Sequence, residues 1–206
     1  MPRPHYVINE VFLTVQGEGI RVGTANVFVR FTACNLACSI EPGEKSPGGF
    51  DCDTEFASGR QVTLDELVQW INAEAGQCHW LVLTGGEPGL QIDAALIDRL
   101  HDEGYKLAVE TNGSIALPDG LDWITVSPKV AEHCIRQTAA DEVKYVRSHG
   151  QSVPRTSVTA EHYLISPAFD GPTANSRNLA WCLDLVKQHP TWRLSIQQHK
   201  GSLQIR

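Results

Sequence analysis

The stretch FTACNLACSIEPGEKSPGGFDCDTEF, from Phe31 to Phe56, carries three of the chain's six cysteines: Cys34, Cys38 and Cys52. Three thiols this close suit three uses. A structural zinc site closes its tetrahedron with four ligands, and the further candidates His5, Cys78, His79 and Cys134 are remote in sequence. Cysteines that merely pack are common, but these are flanked by Gly and Asp. The third use is an iron–sulfur cluster, which prefers thiolates. A cluster of four irons tied to three thiolates keeps one iron open to a second ligand.

Other polar groups recur where strands should end. They read Thr84-Gly85-Gly86-Glu87-Pro88, Glu110-Thr111-Asn112-Gly113, Ser127-Pro128-Lys129 and Ser166-Pro167-Ala168-Phe169-Asp170. An early turn, VQGEG, offers Gln16 as donor and acceptor, Glu18 as acceptor and Gly17 as free backbone. Arg30 suits a bidentate carboxylate partner. Thr54 brings a hard oxygen that no iron–sulfur cluster wants. Each group has a plainer reading as well: Gly85-Gly86 as a tight turn, Ser127 to Lys129 as a loop, Arg30 in a surface ion pair, Thr54, Glu110 and Asn112 as loop hydrogen-bonders.

The elements that must hold these groups follow from periodicity. VFLTV and NVFVRFT read as two early strands. Thr63 and Glu66 form a capping box ahead of Leu64, Leu67, Val68 and Ile71, a helix that closes at Gly76. WLVLT is a strand, Ile92, Leu96 and Leu100 mark a second helix ending at Gly104, and KLAVET is a strand again. WITVS, EVKYV and HYLIS are further strands with little helix between them. A third helix runs from about Asn175 to His189, and WRLSIQ is the last strand. Strand, helix, strand implies parallel pairing. The expectation is an α/β fold, an incomplete, open βα barrel with about six core parallel strands and three main helices. Ligands in such sheets sit at the carboxyl ends of the strands.

The chain has 206 residues and a formal net charge of −7. It is read as one domain, 1–206, able to build a core without disulfides. The acidic balance argues against nucleic acid as the main partner. The N-terminus lacks a basic region followed by a long apolar stretch, and no window is apolar enough to span a bilayer. The expectation is a cytoplasmic protein with reduced thiols. Cys78, Cys134 and Cys182 read as packing residues.

The cysteine loop, TGGEP and the partial-barrel pattern resemble the radical S-adenosylmethionine superfamily. Within it, TVQGEG, CDT, TGGEP, ETNG, SPK and the tail SIQQHKGSLQIR resemble the 7-carboxy-7-deazaguanine synthases over nearly the whole chain. One departure stands out. The superfamily spacing is C-x3-C-x2-C, whereas thirteen residues separate Cys38 from Cys52 here, an insertion at about 39–51 rich in Gly and Pro that can bulge outward.

The resemblance implies a [4Fe–4S] cluster on Cys34, Cys38 and Cys52, and S-adenosylmethionine held by Gly85, Gly86, Glu87, Ser127, Pro128, Lys129, Ser166, Pro167, Ala168 and Phe169. It also implies Mg²⁺ on Thr54, and a pterin substrate met by Val15, Gln16, Gly17, Glu18, Arg30, Thr84, His199 and the carboxylate of Arg206. No protein side chain is implied as a catalytic group, because the cofactors carry the chemistry. The implied reaction turns 6-carboxy-5,6,7,8-tetrahydropterin into 7-carboxy-7-deazaguanine with loss of ammonia, on the way to queuosine and other 7-deazapurines. A homodimer and an external electron donor are implied too. Alternatives are a glycyl-radical-activase-like enzyme, which would not need the pterin-facing set, and a non-catalytic zinc-binding module, which would be colourless.

Overall fold

The computed structural model describes residues 5–36, 56–170, 173–198 and 200. A hairpin opens the chain: β1 (His5–Val15) pairs antiparallel with β2 (Ala25–Phe31). A short strand, β3 (Arg60–Thr63), pairs antiparallel with the start of β1, placing Tyr6 opposite Val62. Next come α1 (Leu64–Ala75), β4 (Trp80–Gly85), α2 (Ala94–Asp102), β5 (Lys106–Thr111), β6 (Trp123–Val126), β7 (Ala139–Arg147) and β8 (Thr159–Pro167). A two-stranded ribbon of β9 (Phe169–Asp170) and β10 (Thr173–Ala174), then α3 (Ser176–Gln188) and β11 (Trp192–Leu194), complete the described elements.

The main sheet has nine strands in the order β11-β8-β7-β6-β5-β4-β2-β1-β3. From β2 to β11 every neighbouring pair is parallel, so seven strands run together where about six were expected. The antiparallel pairs at β1 make the sheet mixed. β3 escaped the sequence reading because only Val62 of its four residues is buried. Its pairing to a partner more than fifty residues earlier leaves no local signature.

The three helices form where the 3.6-residue pattern predicts. Thr63 caps α1: its hydroxyl accepts from the Glu66 amide, while the Glu66 carboxylate accepts from the Thr63 amide at 2.7 Å. Such a box stabilises a helix by about 1 kcal/mol. Asp93 caps α2 and also accepts from the Tyr6 hydroxyl at 2.9 Å, tying that helix to β1. Asn175 caps α3.

One side of the sheet carries the apolar core. Val27, Val29, Phe31, Leu81, Leu83, Leu107 and Val109 pack with Leu67, Ile71, Leu96 and Leu100 of α1 and α2. Val126, Val143, Tyr145 and Ile165 pack with Cys182 and Leu185 of α3. Where no helix crosses, loops do the covering: Leu117 and Leu121 after β5, Ile135 after β6 and Val158 after β7. The β5–β6 connection holds Gly113, Pro118 and Gly120, which rule out a helix there. Cys182 is part of this core, and burial pushes its thiol up to about 11. Cys78 is half-buried with its Sγ against the Ala25 carbonyl.

Alternation sends the intervening residues to the opposite side. There lie Arg30, Thr84, Glu110, Thr125, Glu142 and Lys144, one from each of the four adjacent strands β2, β4, β5 and β6 and two from β7. A parallel sheet with polar side chains on the face away from its helices has a face to be filled by something else.

Candidate active site

The cysteine segment begins at the end of β2. Phe31 closes the strand, Ala33 takes a left-handed conformation at φ 68°, and Cys34 follows, half-buried. Backbone bonds hold this segment against the end of β4. The Gly86 amide donates to the Phe31 carbonyl at 2.9 Å and the Glu87 amide to the Ala33 carbonyl at 2.9 Å. A Cβ on Gly86 would run into the Ala33 carbonyl, and one on Gly85 into Phe31; Gly85 also sits at φ 115°. The two glycines are thus required by the approach of the cysteine segment, a use distinct from the ligand approach that their position suggested. The Ala33 amide in turn donates to the Phe56 carbonyl at 2.8 Å, so the chain leaves the sheet and returns to it at one place.

Glu87 lies under this junction with no exposed surface. Its carboxylate accepts from the Thr111 hydroxyl at 2.7 Å, the Asn112 amide at 2.8 Å and the Gly89 amide at 2.9 Å. Burial pushes its pKa up, and these three donors pull against it. The side chain therefore welds the ends of β4 and β5 together. Asn112 extends the weld by donating to Asn35 Oδ1 at 3.1 Å, one residue past Cys34.

The other strand ends assemble on the same edge. The Ser127 amide donates to the Thr111 carbonyl, Pro128 is buried, and the Lys129 ammonium donates to Ser127 Oγ at 3.2 Å. Ser166, Pro167 and Ala168 are buried at the end of β8, with Phe169 next and Lys200 over its ring at 5.3 Å. Asn178 of α3 holds the Ala168 carbonyl at 2.9 Å.

The VQGEG turn follows β1, whose last residue Val15 pairs with Ala25. Gln16 is buried and its Nε2 donates to Glu110 at 2.9 Å, while its Oε1 accepts from the Glu18 amide. The Gly17 carbonyl accepts from the Gln198 amide at 2.9 Å. Glu18 is contacted by the Lys144 ammonium on one carboxylate oxygen and by Gln197 Nε2 on the other. Two more amides of the turn are anchored: Gly19 to Ser195 Oγ at 3.0 Å and Ile20 to Glu142 at 2.8 Å. Arg30 and Thr84 are register partners on β2 and β4. The Arg30 guanidinium pairs with Glu10 at 2.8 Å and lies over the Phe12 ring.

Three carboxylates, Glu18, Glu110 and Glu142, thus share the neighbourhood of Lys144. Burial works against the lysine's charge, but Glu18 first, then Glu110 and Glu142, raise its pKa beyond the usual range. Burial likewise pushes Glu110 up, opposed by Lys144 and the Gln16 bond, and reinforced by Glu18 and Glu142. The sequence reading missed Lys144, Glu142, Ser195 and Gln197. The signal for the first two was in DEVKYV: charges alternating with Val143 and Tyr145 in the middle of a parallel strand. Of the other expected site residues, Cys38, Cys52, Thr54, His199 and Arg206 lie outside the described residues, as does the 39–51 insertion.

A helix-backed parallel sheet with a polar opposite face, and with its small, backbone-exposing segments gathered at the carboxyl strand ends, has the architecture of α/β proteins, a class that binds ligands at that edge. Comparison with known proteins specifies which. No protein-family model matches. The chain is 42% identical to the 7-carboxy-7-deazaguanine synthase of Bradyrhizobium diazoefficiens, over 98% of this chain and 99% of the relative. It is 41% identical to that of Bacteroides thetaiotaomicron, over 94% and 95%, and 38% identical to that of Burkholderia multivorans, over 95% and 97%. The crystal structure of QueE from Escherichia coli superposes with a TM-score of 0.70 at 21% identity, covering 95% of both chains. The chain belongs to the 7-carboxy-7-deazaguanine synthase family.

Proposed function

We propose that this protein is a carbon–nitrogen lyase that converts 6-carboxy-5,6,7,8-tetrahydropterin to 7-carboxy-7-deazaguanine with loss of ammonia, in queuosine and 7-deazapurine biosynthesis. The observation that carries this reading is the near-full-length identity to relatives of that name. In this reading the chain works as one domain whose sheet curls into a partial barrel around the polar face. It acts as a homodimer in the cytoplasm and takes electrons from an external donor. No described helix is long and apolar enough to cross a membrane.

The residues present fit the expected cofactors. Cys34 stands just past the strand end, after Phe31 and Ala33, whose carbonyls accept from the Gly86 and Glu87 amides, and Cys38 and Cys52 would complete a three-thiolate set for a [4Fe–4S] cluster. Gly85, Gly86, Ser127, Pro128, Lys129, Ser166, Pro167, Ala168 and Phe169 offer the adjoining edge to S-adenosylmethionine, with Glu87 bracing it from beneath. Thr54 offers a hard oxygen to Mg²⁺. When bound, the cluster and S-adenosylmethionine would supply the one-electron chemistry, and Mg²⁺ would supply positive charge beside the substrate.

The chain's own contribution is recognition and enclosure. Glu18 and Gln16, with backbone from Val15 and Gly17, offer acceptors and donors to the pyrimidine edge of a pterin. Arg30, steered by Glu10 and supported on Phe12, offers a planar fork to the substrate carboxylate. Thr84 lies beside it. His199 and Arg206, outside the described residues, complete the proposed substrate set.

The test is an anaerobic assay of reconstituted protein with dithionite, S-adenosylmethionine, Mg²⁺ and 6-carboxytetrahydropterin, read by mass spectrometry. Formation of the deazapurine is expected. Cleavage of S-adenosylmethionine to 5′-deoxyadenosine without deazapurine would overturn the substrate while keeping the cofactors. A colourless zinc protein would overturn both.

A further inference from the structure

Lys144 belongs to none of the groups expected to touch substrate or cofactor, yet it is the most heavily engaged cation on the polar face. It projects from β7 with its side chain 8% exposed, and its ammonium meets Glu18, whose side chain is 12% exposed. Glu110 of β5 and Glu142 of its own strand also act on it, and Arg21 of the β1–β2 turn feels both of those carboxylates. His162 of β8 is the register partner of Glu142.

Two features separate Lys144 from a general counter-ion. Its contact falls on one oxygen of Glu18 while Gln197 Nε2 donates to the other at 2.5 Å, so the carboxylate is gripped from both sides and cannot rotate. The peptide that carries Glu18 is fixed independently through Gln16, Ser195 and Glu142. With the turn already anchored, what Lys144 adds is the charge and direction of one carboxylate. An ammonium in contact favours the ionised form, and an ionised carboxylate only accepts hydrogen bonds, whereas a protonated one also donates.

We propose that Lys144 is a specificity-determining positioning residue: it holds Glu18 as an oriented, accept-only group, so that the site selects a ligand edge built of N–H donors over one that presents a carbonyl there. This rests on the pterin reading above. The ligand edge in question is the amino-pyrimidine side of the substrate, and the disfavoured analogue carries oxygen in place of the amino group.

Fluorescence titration of the reconstituted full chain with 6-carboxypterin and with 6-carboxylumazine tests this, because the two ligands differ only by amino against oxo at position 2 of the ring. The wild type should prefer the pterin by at least about tenfold, since a built acceptor facing a carbonyl leaves buried polar groups unmatched. Lys144→Met should cut that preference to within about threefold, and Lys144→Arg should restore most of it. Should Lys144→Met not fold, Lys144→Gln, which keeps a donor without the charge, carries the test with the same expected loss. A folded Met or Gln variant that weakens both ligands equally and keeps the preference would overturn the proposal and leave Lys144 a structural counter-ion. Wild-type protein that binds the pterin without preferring it would overturn the proposal alone. Wild-type protein that binds neither ligand would overturn the substrate reading and this inference with it.

Discussion

The amide of Glu87 donates to the carbonyl of Ala33 at 2.9 Å, so the Gly-Gly-Glu strand end and the segment that delivers Cys34 are one backbone-bonded unit. Whatever displaces either partner displaces both, which would couple assembly of the proposed cluster to a contact that no cysteine makes.

Gly86→Ala is the direct test of that coupling. The added methyl meets the Ala33 carbonyl, which is backbone and cannot swing aside. The expected outcome is loss of most bound iron after anaerobic reconstitution, similar to Cys34→Ala, Cys38→Ala or Cys52→Ala, in a protein whose circular dichroism is still native. Iron content at the wild-type level would mean that the cysteine segment tolerates displacement.

Glu87 provides a pH-dependent prediction. Its folded-state pKa is raised above the ordinary 4.5, so between that value and the raised one the unfolded chain gives up a proton that the folded chain keeps. Stability therefore falls as pH rises through this window. Glu87→Gln should remove this contribution to the pH slope in urea titrations, while Glu87→Ala, which strands two buried donors and one half-buried one, should cost about 2–4 kcal/mol. An unchanged slope in the Gln variant would show that the carboxylate keeps its ordinary titration.

Arg30 should matter to binding more than to turnover. Arg30→Lys keeps the charge but loses the planar fork, and the expected result is a KM for the carboxylated pterin raised about tenfold, or about 1.4 kcal/mol, with kcat within a few-fold. If kcat falls and KM holds, the guanidinium is acting on the reaction and not on recognition.

Thr54→Ala should leave iron loading intact while raising the Mg²⁺ concentration needed for half-maximal activity. A magnesium response identical to that of the wild type would remove Thr54 from the proposed ligands.

Much of this architecture was legible from local chemistry. The capping box at Thr63 and Glu66 and the apolar stripes of α1, α2 and α3 fix three helices because helix formation is decided within a few turns of sequence. The strand ends were legible because Gly, Ser and Pro interrupt β-branched runs. What escaped was non-local. β3 exists only through its pairing with β1, and the grip of Lys144 and Gln197 on Glu18 joins residues more than a hundred positions apart. The sequence reads Gly85 and Gly86 as positions where a ligand can meet the backbone; the approaching group that the structure reveals is the chain's own Phe31 to Ala33.

The bond between the Ala33 amide and the Phe56 carbonyl closes a circuit in the chain. Doubling the length of chain between them costs only about 0.6 kcal/mol of closure entropy. The stretch is therefore a natural graft point, where a lineage or an engineer can splice in foreign sequence while the catalytic scaffold beneath stays in register.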